Sequence, residues 1–174
     1  MDAQTTSLMD RLKVETRPMH DAAENSDLEK ALFSGQITQD AYVEYLAQRY
    51  VMHKTLDPVL ARLRAEHAEF AVVEDFMMQA PYLAEDLRYF GVDPDAVEAL
   101  PAVAEICRNI EKMAAEDPIK LLGYHYVLEG SNNGGRFIAK GVRRTFNLEG
   151  DNGVKFLDPY GDEQRGRWSA FRDA

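Results

Sequence analysis

Apolar residues recur at steps of three and four along almost the whole chain, and that period admits helices and little else. Leu8, Leu12, Thr16 and Met19 mark one helical face, with Pro18 expected to kink the helix or begin a new turn. Ser26-Asp27-Leu28-Glu29 reads as a capping box for a helix that holds Leu28, Ala31 and Leu32 and stops at Gly35. Thr38 is placed to cap a helix carrying Tyr42, Tyr45, Leu46, Tyr50 and His53, with Pro58 as a bend before Leu60 and Leu63. A fourth run takes in Phe76, Met77, Leu83, Leu87 and Phe90 and ends at Gly91. Pro101 opens the next, through Val103, Ile106, Ile110 and Met113. Asp117-Pro118 offers a cap and a first-turn proline for a run through Leu121, Leu122, Tyr126 and Leu128. Alternating runs of five or more are missing, and Asn152-Gly153 is a turn between weak neighbours. The expectation is an all-α fold, a single domain over residues 1–174 of about seven to eight helices.

Composition narrows the function classes. At 45% hydrophobic and 29% charged residues the chain is globular. A domain of this length buries roughly 70% of its unfolded surface and needs no disulfide or metal staple. The formal net charge of −10 argues against a general nucleic-acid binder and against a polybasic membrane-surface protein. The lone Cys107 excludes an internal disulfide and every cysteine cage for zinc or iron–sulfur. No apolar run approaches 18 residues, and Met1-Asp2-Ala3-Gln4-Thr5-Thr6 has neither a basic nor an apolar signal region. A cytoplasmic location is expected.

Four histidines are present: His20, His53, His67 and His125. None pairs with another at three or four residues, and neither Glu-x-x-His nor His-Glu-x-x-His occurs, which removes di-iron bundles and zinc proteases. His20 alone has telling neighbours. Lys13, Arg17 and His20 stand four and three residues apart, one stripe on a helix. An imidazole with two cations one and two turns away suits a flat ring coordinated at its centre and carrying carboxylates at one edge. The plain reading of the same stripe is a solvated helix face. The second feature is Gly130-Ser131-Asn132-Asn133-Gly134-Gly135. Each glycine in a helix interior costs roughly 1 kcal/mol, yet both flanks read as helical. The stretch therefore reads as a kink between helical flanks, whose missing β-carbons would let the backbone approach a planar ligand, whereas the plain reading is a loop. The stretch is neither a P-loop nor a dinucleotide fingerprint.

These residues resemble a family. Leu12-Lys13-x-x-Thr16-Arg17-x-x-His20-x-x-Ala23-Glu24 is similar to the proximal helix of the bacterial-type, biliverdin-producing heme oxygenases, and Gly130-x-x-x-Gly134-Gly135 to their distal helix. The tyrosine-rich helix with Tyr50, and Leu83-x-x-Asp86-Leu87 ending at Gly91, fit between them in the same order. The resemblance implies that His20 ligates heme iron, that Lys13 and Arg17 face the propionates, and that Glu24 orients the proximal imidazole. It implies that Gly130, Gly134 and Gly135 line the distal side, that Ser131 and Tyr50 hold ordered water with Asn132, and that Arg165, or Arg167, is a further propionate contact. Two departures stand out. Ser131 replaces the aspartate that many members carry after the first distal glycine, and Val127 replaces an arginine. Longer members also continue with a further helix. The implied reaction is O2- and electron-dependent opening of heme, both substrate and cofactor, to biliverdin, CO and ferrous iron. A ferredoxin or other reductase would donate the electrons, and a bilin-accepting protein would take up the product. A non-catalytic heme or bilin carrier or sensor on this scaffold is the alternative, and a plain helical interaction protein is a third reading.

Overall fold

The computed structural model describes residues 8–174; within the first helix nothing is described of the side chains of residues 8–10, 12, 13, 23 and 24. Seven α-helices follow one another: α1 Leu8–Glu24, α2 Asp27–Ser34, α3 Gln39–Glu66, α4 Ala80–Tyr89, α5 Pro101–Glu116, α6 Ile119–Phe146 and α7 Gln164–Asp173. No strand occurs among the described residues. The expected all-α architecture is what the chain adopts.

Local signals set most boundaries. The Ser26 hydroxyl accepts from the Glu29 N–H and starts α2, which ends at Gly35 in the left-handed region. Thr38 caps α3 in the same way through the Ala41 N–H. Other signals were overridden. Helix α1 runs through Pro18 and α3 through Pro58 without a break. A proline removes one backbone bond, and in α3 the burial of Leu56, Leu60 and Leu63 on both sides holds the helix together. The fourth run divides: Asp75–Met77 is a 3-10 turn, and α4 begins only at Ala80. Asp117 does not cap α6 through its side chain, which pairs with Lys120 Nζ at 3.2 Å instead. The glycine-rich segment is the interior of one continuous 28-residue helix.

Helix α3 is the axis of the core, about 42 Å long at 1.5 Å per residue. Its first half packs Tyr42, Leu46, Ala47 and Tyr50 against Leu83 and Leu87 of α4 and Ile138, Ala139 and Val142 of α6. Its second half packs Met52, Leu56, Leu60 and Leu63 against Ile110 of α5 and Leu121 of α6. Residues 147–160 fold back over α6. Fully buried Asp86 accepts from the backbone N–H groups of Lys155 and Phe156 at 2.9 Å each, and the Tyr42 hydroxyl donates to the Gly153 carbonyl at 2.8 Å. This pinned segment and α7 close one side of α6 and leave another side open.

Candidate functional site

On α6, Gly123, Val127, Gly130, Gly134, Phe137 and Gly141 recur at steps of four, three, four, three and four, so they share one face. A β-carbon added at Gly134 would meet nothing within 4 Å. At Gly130 it would meet the edge of the Trp168 ring at 3.2 Å. The two large residues on the stripe are apolar and uncovered: Val127 is 56% and Phe137 74% exposed. The result is a strip of backbone that is bare at Gly134, edged at Gly130 by the Trp168 ring and bordered by exposed hydrocarbon, a surface that a planar apolar ligand would cover.

The other glycine points elsewhere. Gly135 is buried on the opposite flank, and a β-carbon there would run into the Leu157 carbonyl oxygen. Its absence lets the 147–160 segment close on α6, which supports the strip from behind. Ser131 is exposed, and its hydroxyl donates to the Leu128 carbonyl at 2.6 Å. Its single proton is spent on its own helix, so toward an outside partner the oxygen acts as an acceptor. Asn133 Nδ2 donates to the Gly130 carbonyl at 2.9 Å.

Arg17 and His20 stand one turn apart on α1, both exposed, with Arg17 Nε 2.8 Å from Asp21 Oδ1. The side chains of Lys13 and Glu24 lie outside the described residues. Val14 and Met19 add two exposed apolar side chains to α1. Helix α1 packs on α2, and α2 packs on the end of α6, where the Leu32 carbonyl lies 3.9 Å from a β-carbon at Gly141 and the Thr145 hydroxyl donates to the Gly35 carbonyl at 3.2 Å. The imidazole-bearing helix is thus tethered to the helix that bears the strip. Tyr50 is buried in the α3 core, with the Lys54 ammonium 5.5 Å from its ring centre. Arg165 is exposed on α7, whereas Arg167 is engaged by Glu163 and lies 4.0 Å from the Phe76 ring centre. Among the described residues, no group of His, Cys, Asp and Glu is arranged to hold a bare metal ion.

Sequence reasoning passed over His125 and Glu129 on the other flank of α6, and it set Asn132 beside Ser131, whereas the helix turns Asn132 inward to join them. His125, Glu129 and Asn132 stand at steps of four and three, all buried. Tyr160 donates to the Glu129 carboxylate at 3.0 and 3.1 Å, and Gln79 Nε2 donates to the Tyr160 oxygen at 3.1 Å. Across from them on α3, His53 Nδ1 lies 3.2 Å from Asp57 Oδ1, and Asp57 Oδ2 accepts from the Ala80 N–H at 2.7 Å. Burial pushes the Glu129 carboxyl up to about 7 against the pull of its Tyr160 hydrogen bond. Burial, with His53 nearby, pushes His125 down to about 4 and holds it neutral. The signal was available: in a run whose buried stripe begins at Leu121, a His, a Glu and an Asn occupy the positions where core residues belong.

The comparisons with known proteins agree with this geometry. The family model for heme oxygenases matches residues 6–174. A heme oxygenase of Rhodella violacea is 24% identical over 156 residues, 88% of this chain and 66% of the relative. One of Takifugu rubripes is 28% identical over 164 residues, 89% of this chain and 58% of the relative. The chain therefore spans less than two thirds of the length of these relatives. The crystal structure of Synechocystis heme oxygenase-2, in complex with heme and NO, superposes with a TM-score of 0.86 at 22% identity, over 97% of this chain and 72% of that one. No described helix is long and apolar enough to cross a membrane. A family match over nearly the full length, on an all-α fold with a glycine strip along α6, one of its two longest helices, places this chain in the heme oxygenase family.

Proposed function

We propose that this chain is a heme-degrading enzyme that opens heme to biliverdin, CO and ferrous iron with O2 and electrons from an outside donor. The observation that carries the reading is the strip of α6: Gly130 and Gly134 between exposed Val127 and Phe137, on a helix that α2 ties to the one bearing His20. The bound heme supplies the iron chemistry, and the protein supplies position and environment. His20 would ligate the iron as a neutral imidazole, with Glu24 orienting it. Lys13, Arg17 and Arg165 would pair with the propionates, Arg17 exchanging Asp21 for one of them, and so fix ring rotation and the carbon attacked. Gly134 would admit the ring closely, Gly130 would do so beside the Trp168 ring edge, and Gly135 would let the 147–160 segment close on the far flank of α6. Ser131 would accept from an ordered water rather than give up its own proton, whereas Tyr50, buried in the α3 core, and Asn132, buried on the other flank of α6, stand away from that water. A ferredoxin or other reductase would donate electrons, and exposed Lys140 and Arg144 offer it a basic landing on an acidic chain.

Titration with hemin, followed by ferredoxin or ascorbate in air, tests the reading. The expected result is a histidine-ligated Soret band that bleaches as bilin forms. His20→Ala should lose that spectrum and turnover. Heme bound without bleaching would make the protein a carrier, and no binding at all would sink the proposal.

A further inference from the structure

The buried flank of α6 holds more polar chemistry than the fold requires. Around Glu129 the buried atoms Gln79 Oε1 and His125 Nε2 have no hydrogen-bond partner, and Asn132 Nδ2, which draws on the Glu129 carboxylate, makes no full hydrogen bond either. All three side chains are at most 7% exposed. Orphaned polar atoms this deep are rare and destabilising unless something pairs with them. Two sit one turn to either side of Glu129 on α6, and the third belongs to the Gln79 that holds Tyr160. A seam with three or more polar partners is the setting in which buried water is found.

We infer that this seam holds ordered water and that Glu129, braced by Tyr160 and Gln79, is a proton store for the glycine strip on the other side of α6. Glu129 precedes Gly130 directly, so the store lies within one helical turn of the strip. It gives one proton along the water and is refilled from solvent, a step that needs neither oxidant nor reductant. The inference rests on the proposed heme chemistry, which consumes protons as O2 is reduced.

The groups that face Glu129 explain why it can hold a proton near neutrality. From α3 come Asp57, whose negative charge disfavours a second carboxylate, and the His53 bound to Asp57. From α4 comes Tyr82, from the 147–160 segment Tyr160, from α6 His125 and the amide of Asn132, and from α7 Arg167, whose positive charge favours the carboxylate as Tyr160 and Asn132 do. Burial is the largest influence, and it places the carboxyl near 7, where it both holds and releases a proton at working pH. Glu129 touches no substrate in this arrangement; it acts through water, as a positioning residue.

The test starts with the heme-free protein. Infrared difference spectra across a pH titration should show a protonated-carboxyl band that vanishes as the pH rises through about 7. The band should be absent in Glu129→Gln, which keeps the shape and most of the hydrogen bonding. Tyr160→Phe should move its midpoint upward by removing the donor that favours the carboxylate. A spectrum unchanged by Glu129→Gln overturns the inference. With heme bound, single-turnover bilin formation should slow as the pH rises above about 7 in the unaltered protein. In Glu129→Gln it should be about tenfold slower below that pH and flat across it, with heme affinity and Soret position unchanged. A variant whose pH profile parallels the original also overturns it. If the unaltered protein makes no bilin, the heme reading is what fails, and the infrared titration separates that result from a Glu129 that never held a proton.

Discussion

Gly134 and Gly135 are neighbours with opposite surroundings. At Gly134 a β-carbon would enter open space, and alanine is the better helix former by about 1 kcal/mol. At Gly135 it would strike the Leu157 backbone, which has no rotamer to escape into. Gly134→Ala should therefore raise the stability of the heme-free protein by up to about 1 kcal/mol while weakening heme binding, because the added methyl occupies the strip. Gly135→Ala should lower stability by about 3 kcal/mol. Urea unfolding of the two variants decides it. A destabilised Gly134→Ala would mean that this glycine is needed for the fold and not for a ligand.

At the level of elements, one carboxylate holds a long connection in place. Asp86 projects from α4 and takes two backbone N–H groups of the segment between α6 and α7. That segment in turn covers Gly135, so α4, the connection and the back of the glycine strip form one stack. Asp86→Ala leaves two N–H groups without their partner, at a cost of about 2–4 kcal/mol. Helical circular dichroism should survive, since the seven helices pack mainly through α3 and α6, while hydrogen exchange at Lys155 and Phe156 should accelerate. Unchanged exchange at those two amides would show that Asp86 does not secure them.

For the molecule as a whole, three buried groups set how stability follows pH. Burial raises Asp86 to about 6 and Glu129 to about 7. Both hold protons more tightly folded than unfolded, so their contribution is complete below the ordinary carboxylate range and is lost as the pH rises through about 6 and then about 7. His125, lowered to about 4, runs the other way: its contribution is complete above the ordinary imidazole value and is lost as the pH falls through about 4. Urea midpoints of the heme-free protein should therefore decline from slightly acid to neutral pH. Glu129→Gln should flatten the upper part of that decline, and Asp86→Asn the lower part. Equal slopes in all three proteins would mean that these carboxyls titrate normally.

Much of this was legible in the order of residues alone. The period of three and four, the caps at Ser26 and Thr38 and the stop at Gly35 act within a turn or two, so the helices and the stripes carrying His20 and Gly134 could be read directly. Local signals failed where distant packing outweighed them: at Pro18 and Pro58, where helices continue, and at Met78 and Gln79, where a run expected to be whole breaks. Only the folded chain could separate Gly134 from Gly135, because a glycine reveals its purpose by what stands where its side chain would be. The same holds for Glu129. Its place on a buried stripe is periodic, but Asp57, Gln79 and Tyr160 come to it from far along the chain, and a carboxyl's hold on its proton is set by those neighbours.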